Sequence, residues 1–127
     1  MAVLHLFLVL DRLRGEDSVF RQALTDLFFS EMDRALRESG VGDLSVGKRV
    51  RKMAEACYGR IGAYEQALQQ GEDALAGVIA RNFFPEGGGQ ESARKLARYV
   101  LDCRAMFAEM SPALVMKGKF KFPEPRP

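Results

Sequence analysis

The sequence predicts an all-α fold: a single compact domain of about five helices with an extended C-terminal tail. Three observations carry that expectation. At 127 residues the chain is long enough to bury about two thirds of its unfolded surface around one core, and short enough for one domain. Its apolar residues recur at spacings of three and four almost throughout, with hardly any strand signal. The interruptions, "RGEDS" at 14–18, "SGVGD" at 39–43 and "PEGGGQ" at 85–90, are helix stops and loops.

The first helix is expected from about residue 2 to 13. Its "AVLHLFLVL" is apolar all round but stops at Asp11, about ten residues against the roughly twenty that span a bilayer. With no basic residues ahead of it and no small-residue cleavage site behind, it reads as a central core helix rather than a signal peptide. Asp17 or Ser18 caps the second helix, which runs to Glu38 with Gly40 just beyond its C-terminus. Phe20, Leu24, Leu27, Phe28, Met32, Ala35 and Leu36 form its apolar arc, and Glu31 falls inside that arc. Ser45 is expected to cap a long third helix reaching about Gln70. Its apolar face, Val46, Val50, Met53, Ala54, Cys57, Ile61, Tyr64 and Leu68, spans an arc of about 100° and carries the helix through Gly59 and Gly62.

"EDALAGVIARNFF" makes a short fourth helix, and the fifth is expected from about Ser92 to Met110 with Leu96, Val100, Cys103, Phe107 and Met110 facing the core. The tail, with Pro123, Pro125 and Pro127, is expected to be extended, laid on the surface or mobile beyond it. Cys57 and Cys103 fall on apolar stripes with no C-x-x-C spacing, so both read as buried reduced thiols of a cytoplasm-like compartment.

One segment imitates a phosphate-binding loop: Gly42, Gly47 and Lys48 give G-x-x-x-x-G-K. The next residue is Arg49 rather than the Ser or Thr that would hold magnesium, and the segment joins two helices where the motif needs a strand before it. No nucleotide is expected there. Gly40 and Gly42 are expected in the loop with positive or unusual φ, and Gly47 in the first turn of the third helix. The single histidine, His5, lies in the most apolar helix without ligand-spaced partners, which reads as structural and argues against hydrolase chemistry. No metal and no cofactor is expected.

Two charge patterns stand out. Glu31, Arg34 and Glu38 line one side of the second helix at i, i+3 and i+7, an arrangement for an internal ion network or for contact with a partner's basic residue. On the third helix Lys48, Arg49, Arg51 and Lys52 crowd the N-terminal end, where the macrodipole is already positive and each cation is disfavoured by roughly 0.3–1 kcal/mol. Residues 45–60 carry a net +4, against +2 for the whole chain. Lys48 and Lys52 share a side with Ala56, Gly59 and Ala63, with Arg49 and Arg60 at its edge. That smooth basic side is either a partner-binding groove or a face filled by another helix of the same chain.

The run "FFSEMDRALRESGVGDLSVGKRVRKMAEACYGRIGAYEQAL", residues 28–68, resembles the ubiquinol-cytochrome c chaperone family of mitochondria and related bacteria. The resemblance rests on Met32, Asp33, Leu36, Arg37, Glu38, Gly40, Val41, Gly42, Asp43 and Leu44, then on Tyr58, Gly59, Arg60, Ala63 and Tyr64. "LHLFLVLDRLRG", "RNFF" at 81–84 and the closing Gly-x-Phe-x-Phe-Pro extend it over nearly the whole chain. It implies an all-helical, non-enzymatic assembly factor for the ubiquinol-cytochrome c reductase. Its mitochondrial relatives act near the ribosome exit and hold newly made cytochrome b. The expected partner is therefore cytochrome b, with the ribosome open as a second partner and no small-molecule substrate. An RNA-binding or ribosome-docking module using the same cations is the alternative.

Family members usually carry a further N-terminal helical region before the Leu-His pair of residues 4 and 5, where this chain has only Met-Ala-Val. Residues 1–127 are accordingly expected to form one domain without that region. Leu4, Phe7 and Leu8 would then be partly uncovered, and the chain could self-associate through them. The lack of a mitochondrial targeting segment points to the bacterial branch and to the cytoplasm, with peripheral association at the inner membrane; a eukaryotic copy would occupy the mitochondrial matrix.

Overall fold

The computed structural model describes residues 1–126, apart from the side chains of Asp43 and Leu44. These residues form six helices and no strand: α1 (Ala2–Arg12), α2 (Ser18–Glu38), α3 (Asp43–Gln70), α4 (Glu72–Phe83), α5 (Gln90–Ala108) and α6 (Pro112–Met116). The all-α prediction holds, with one short helix added.

The core lies where α1, the second half of α3, α4 and α5 meet. Leu4, Phe7 and Leu8 of α1 and Leu13 just after it pack with Tyr64, Leu75, Ile79, Val100, Cys103 and Phe107. The expectation that Leu4, Phe7 and Leu8 are partly uncovered is wrong: each is 0% exposed. Their cover comes from this chain. Phe7 meets Tyr64 of α3 at a ring separation of 5.4 Å, and Arg12 fixes α1 to the end of α5 by donating from Nε to the Phe107 carbonyl (2.7 Å) and from Nη2 to that of Met110 (2.6 Å). Carbonyls at a helix C-terminus have no partner within their own helix, so a cation there both satisfies and neutralises them.

The tail completes the enclosure. It leaves α6 through a turn at Gly118 and runs extended, with Phe120 and Phe122 turned inward: both rings meet Phe107 edge-on, at 5.0 and 5.8 Å, and Phe122 also meets His5 at 4.6 Å. Arg126 closes the strap with two hydrogen bonds to the Asp102 carboxylate. Pro127 lies outside the described residues. His5 is structural, as expected. Its Nδ1–H donates to the Met1 carbonyl, which can only accept, so Nε2 accepts from the Tyr99 hydroxyl at 2.8 Å.

Two glycines shape the connections. Gly71, at φ +110°, closes α3 and opens α4 in a backbone conformation that side chains avoid. Gly89, at φ +69°, begins α5 with the Phe84 ring seated so close that a Cβ there would collide with it. The acids in the first turn of α4 suit its positive end and pair with α5: Asp73 with Arg94 at 2.8 Å, Glu72 with Arg98 at 3.4 Å.

Helix α2 and the first half of α3 form a hairpin arm apart from this core. Val46 and Cys57 are buried there, yet neither belongs to the main cluster, and the one buried residue of α2 is Thr25. The predicted apolar arc of α2 is therefore only half used. Because α2 packs chiefly on α3, Leu27 stays 58% exposed and Ala35 is exposed. Glu31 likewise lies at the surface rather than inside a buried arc. Asp17 caps α2 by accepting from the Phe20 amide, as expected. Ser45 does not cap α3: the helix starts two residues earlier, Gly42 is its N-cap, and the Ser45 and Val46 amides both reach the Gly42 carbonyl. Gly42 adopts ordinary extended backbone, φ −65° and ψ 149°, rather than an unusual conformation, since its carbonyl only has to start the helix.

Candidate partner-binding surface

The α2–α3 turn sets the arm's geometry. Beyond α2, Gly40 at φ +93° donates to the Arg37 carbonyl and Val41 to that of Leu36, the paired hydrogen bonds of a Schellman motif. Asp33 supports that last turn through its ion pair with Arg37 at 2.9 Å. Asp33, Arg37, Gly40 and Gly42 thus build the turn, while Glu38 ends α2 with its side chain 4.0 Å from Arg34; Asp43's side chain lies outside the described residues. The segment joins helix to helix, and Gly47 and Lys48 are already within α3, Gly47 past the first turn where it was expected. A phosphate loop needs backbone amides wrapped round an anion after a strand, and this geometry does not supply it.

Arg34 does pair with Glu31 (2.6 Å) and lies 4.0 Å from Glu38, but all three side chains are more than half exposed. Pairs of that kind contribute a few tenths of a kcal/mol. They leave no buried carboxylate for the cations of α3 to neutralise.

Along α3, Lys48, Arg49, Lys52, Ala56, Gly59 and Arg60 are all exposed, and Ala63 is half-buried. None of the cations has an ion-pair partner among the described residues. A Cβ added at Gly59 or Gly62 would meet nothing within 4 Å. No helix of this chain therefore fills the smooth side, and the intramolecular reading of these glycines fails. The stripe runs on from Ala63 into an open groove of about 370 Å³ between α3 and α4, bordered by Gln66, Ala67, Gln70, Ala74 and Gly77.

The arm also shows more apolar surface than the body. Val19, Leu27, Met53 and Tyr58 are 78, 58, 38 and 55% exposed, four of the six large apolar side chains in that state among the described residues. Tyr58 rests against Phe29 across the hairpin, at a ring separation of 5.7 Å. Tyr64 is its opposite: 1% exposed, it takes a hydrogen bond from Asn82 and anchors α3 to α4. Sequence reasoning placed both on a motif without separating these roles. It also missed Arg12, Phe120 and Phe122; the alternation of Lys and Phe at 119–122 was the available signal for the last two.

Both thiols are free and buried, as predicted. Burial pushes Cys57 above the usual thiol range, with Arg60 opposing, and pushes Cys103 up likewise, opposed by its hydrogen bond with Tyr99. Tyr99 itself is pushed up to about 12, first by burial and then by its hydrogen bond with Cys103. A raised thiol is a poor nucleophile at neutral pH, which gives these cysteines a packing role. No group of three or more metal-ligating side chains occurs among the described residues.

No curated protein matches the chain. Among solved structures, the crystal structure of the Cbp3 homolog from Brucella abortus aligns with a TM-score of 0.82 at 38% sequence identity, covering 96% of this chain and 70% of that one. The arm, the turn motif and the Phe-x-Phe strap all lie within residues 1–122, the stretch matched by the ubiquinol-cytochrome C chaperone family, and the chain belongs to that family.

Proposed function

We propose that the protein is an assembly chaperone that holds newly made cytochrome b on the way to the ubiquinol-cytochrome c reductase, by binding and without catalysis. The observation that carries the reading is the open stripe on α3: cations in its second and third turns without an ion-pair partner among the described residues, then Ala56, Gly59 and Ala63 with no covering helix. Like charges three and four residues apart on a helix work against stability, so the concentration of Lys48, Arg49, Arg51 and Lys52 is accounted for by something they bind. The small residues let a partner helix approach closely, and Leu27 and Met53 offer exposed apolar surface on the same arm.

We place the encounter at the cytoplasmic surface of the inner membrane, where a freshly inserted client presents its surface segments. Self-association through α1 loses its basis, because Leu4, Phe7 and Leu8 are fully covered. The test is recovery of bound proteins from solubilised membranes at about 50 and 200 mM salt. Capture of cytochrome b that survives the higher salt supports the chaperone. A site that neutralises several phosphates would lose orders of magnitude in affinity over that range, and recovery of RNA or ribosomal proteins with such a loss would favour a ribosome-docking role instead.

A further inference from the structure

Basic charge collects at a second place, the C-terminal strap. Residues 111–126 carry four cations against one acid, a net +3, where the whole chain has +2. Arg126 is held by Asp102; the other three, Lys117, Lys119 and Lys121, are exposed and have no ion-pair partner among the described residues. The backbone explains how they line up. Extended chain sends alternate side chains to opposite sides, so with Phe120 and Phe122 packed on the body, Lys119 and Lys121 share the outer side, roughly 7 Å apart.

The end of α6 adds an apolar residue to this row. A Schellman motif closes the helix: Gly118, at φ +68°, donates to the Val115 carbonyl and Lys119 to that of Leu114, each at 3.0 Å. That bond brings Lys119 back beside Leu114, and Lys117 stands three residues after Leu114, the spacing of neighbours on a helical surface. Leu114, 43% exposed, is thus bracketed by two lysines.

We propose that this row docks on the headgroups of an anionic lipid bilayer, with Leu114 as its shallow apolar contact. The occupant follows from what the row lacks. Nucleic acid held without sequence preference needs aromatic faces on which bases stack, and both rings of the strap are engaged with Phe107. A partner strand needs an open edge, and alternate lysines followed by Pro123 and Pro125 are the residues that blunt one. A flat anionic surface needs neither, since clustered cations and a small apolar anchor suffice. No helix among the described residues is long and apolar enough to cross a membrane, so contact of this kind is made from the surface. It deepens the membrane placement proposed above, yet it requires no cytochrome b.

Sedimentation of the full chain with vesicles of mixed phosphatidylglycerol and phosphatidylcholine, and of phosphatidylcholine alone, tests it without any client present. Binding should require phosphatidylglycerol and weaken as salt rises. A lysine near an anionic surface is worth roughly fivefold in partitioning, so Lys117→Gln, Lys119→Gln and Lys121→Gln together should lower it on the order of a hundredfold. Lys117→Arg, Lys119→Arg and Lys121→Arg, which keep the charge, should retain it. Leu114→Ala should weaken it severalfold. Lys48→Gln, Arg49→Gln and Lys52→Gln, an equal loss of charge on α3, should leave most of it. No binding to the anionic vesicles, binding indifferent to the strap lysines, or an equal loss from the α3 variant would each overturn the assignment. So would single-stranded RNA or polyglutamate bound through the strap lysines in place of vesicles. Any of these results would leave capture of cytochrome b by α3, read from solubilised membranes, still standing.

Discussion

Replacing Gly59 and Gly62 by alanine should stabilise the isolated protein. Both residues lie inside the 28-residue α3, where glycine costs roughly 0.5–1 kcal/mol relative to alanine because it surrenders more backbone freedom. The usual reason for retaining such residues, close approach of another part of the chain, is absent: a Cβ at either position meets no atom within 4 Å. Neither has a positive φ to forbid alanine. The two sites neighbour each other on one helix face, but the gain at each comes from backbone freedom rather than from side-chain contact, so together they should give about 1–2 kcal/mol. For a domain of this size that is a rise of roughly 3–8 °C in melting temperature. Urea denaturation of the single and double variants reads it directly, as a higher midpoint with an unchanged slope. A lowered midpoint at either position would mean that another part of the chain packs against α3 there, and the argument for an open stripe would fail.

Three further outcomes follow from the same geometry. Changing Lys48, Arg49 and Lys52 together to Glu should leave stability within about 0.5 kcal/mol, since all three side chains are exposed and no ion pair among the described residues is broken; a marked fall in melting temperature would show that these cations are structural. Gly89→Ala should do the reverse of Gly59→Ala, costing about 2 kcal/mol or more through its left-handed backbone and the Phe84 ring, and a neutral result in urea denaturation would contradict the loop geometry. Tyr99, pushed up to about 12, holds its proton more tightly folded than unfolded; stability is thus fully present below pH about 10 and should fall by on the order of 2–3 kcal/mol as pH rises towards 12. Cys57 and Cys103, raised by burial, steepen the fall from about pH 9. Denaturation midpoints that stay flat across that range would refute the burial argument.

How much of this was legible beforehand depended on whether the cause was local. Helix spans follow from periodicity and caps, and α1, α2 and α4 fall where their apolar spacing and Asp17 put them. The α3 stripe was legible because four cations within five residues, followed by small residues at helical spacing, form a local pattern; their distance from the helix end was not, since Gly42 rather than Ser45 is the N-cap. Coverage of α1 was not, because it depends on Tyr64, on α5 and on Phe122, which meets His5 from more than a hundred residues along the chain. The partners of His5 and Arg12, 94 and 95 residues distant, were hidden for the same reason. For α2 the pattern correctly gave a helix with an apolar arc. It could not say that one neighbouring helix would cover only part of that arc and leave Leu27 outside. Helix α6, at five residues, is too short for periodicity to reveal.

The central claim is that a client lies along the outer face of α3, and site-specific photocrosslinking reads that contact most directly. A photoreactive side chain placed singly at Lys52, Ala56 or Gly59, all exposed, should yield adducts with cytochrome b in membranes of cells assembling the reductase. The same group at Arg94 or Leu114, exposed on α5 and α6, should yield none. Cytochrome b adducts confined to α5 and α6, or adducts from α3 that contain only RNA or ribosomal protein, would contradict the account.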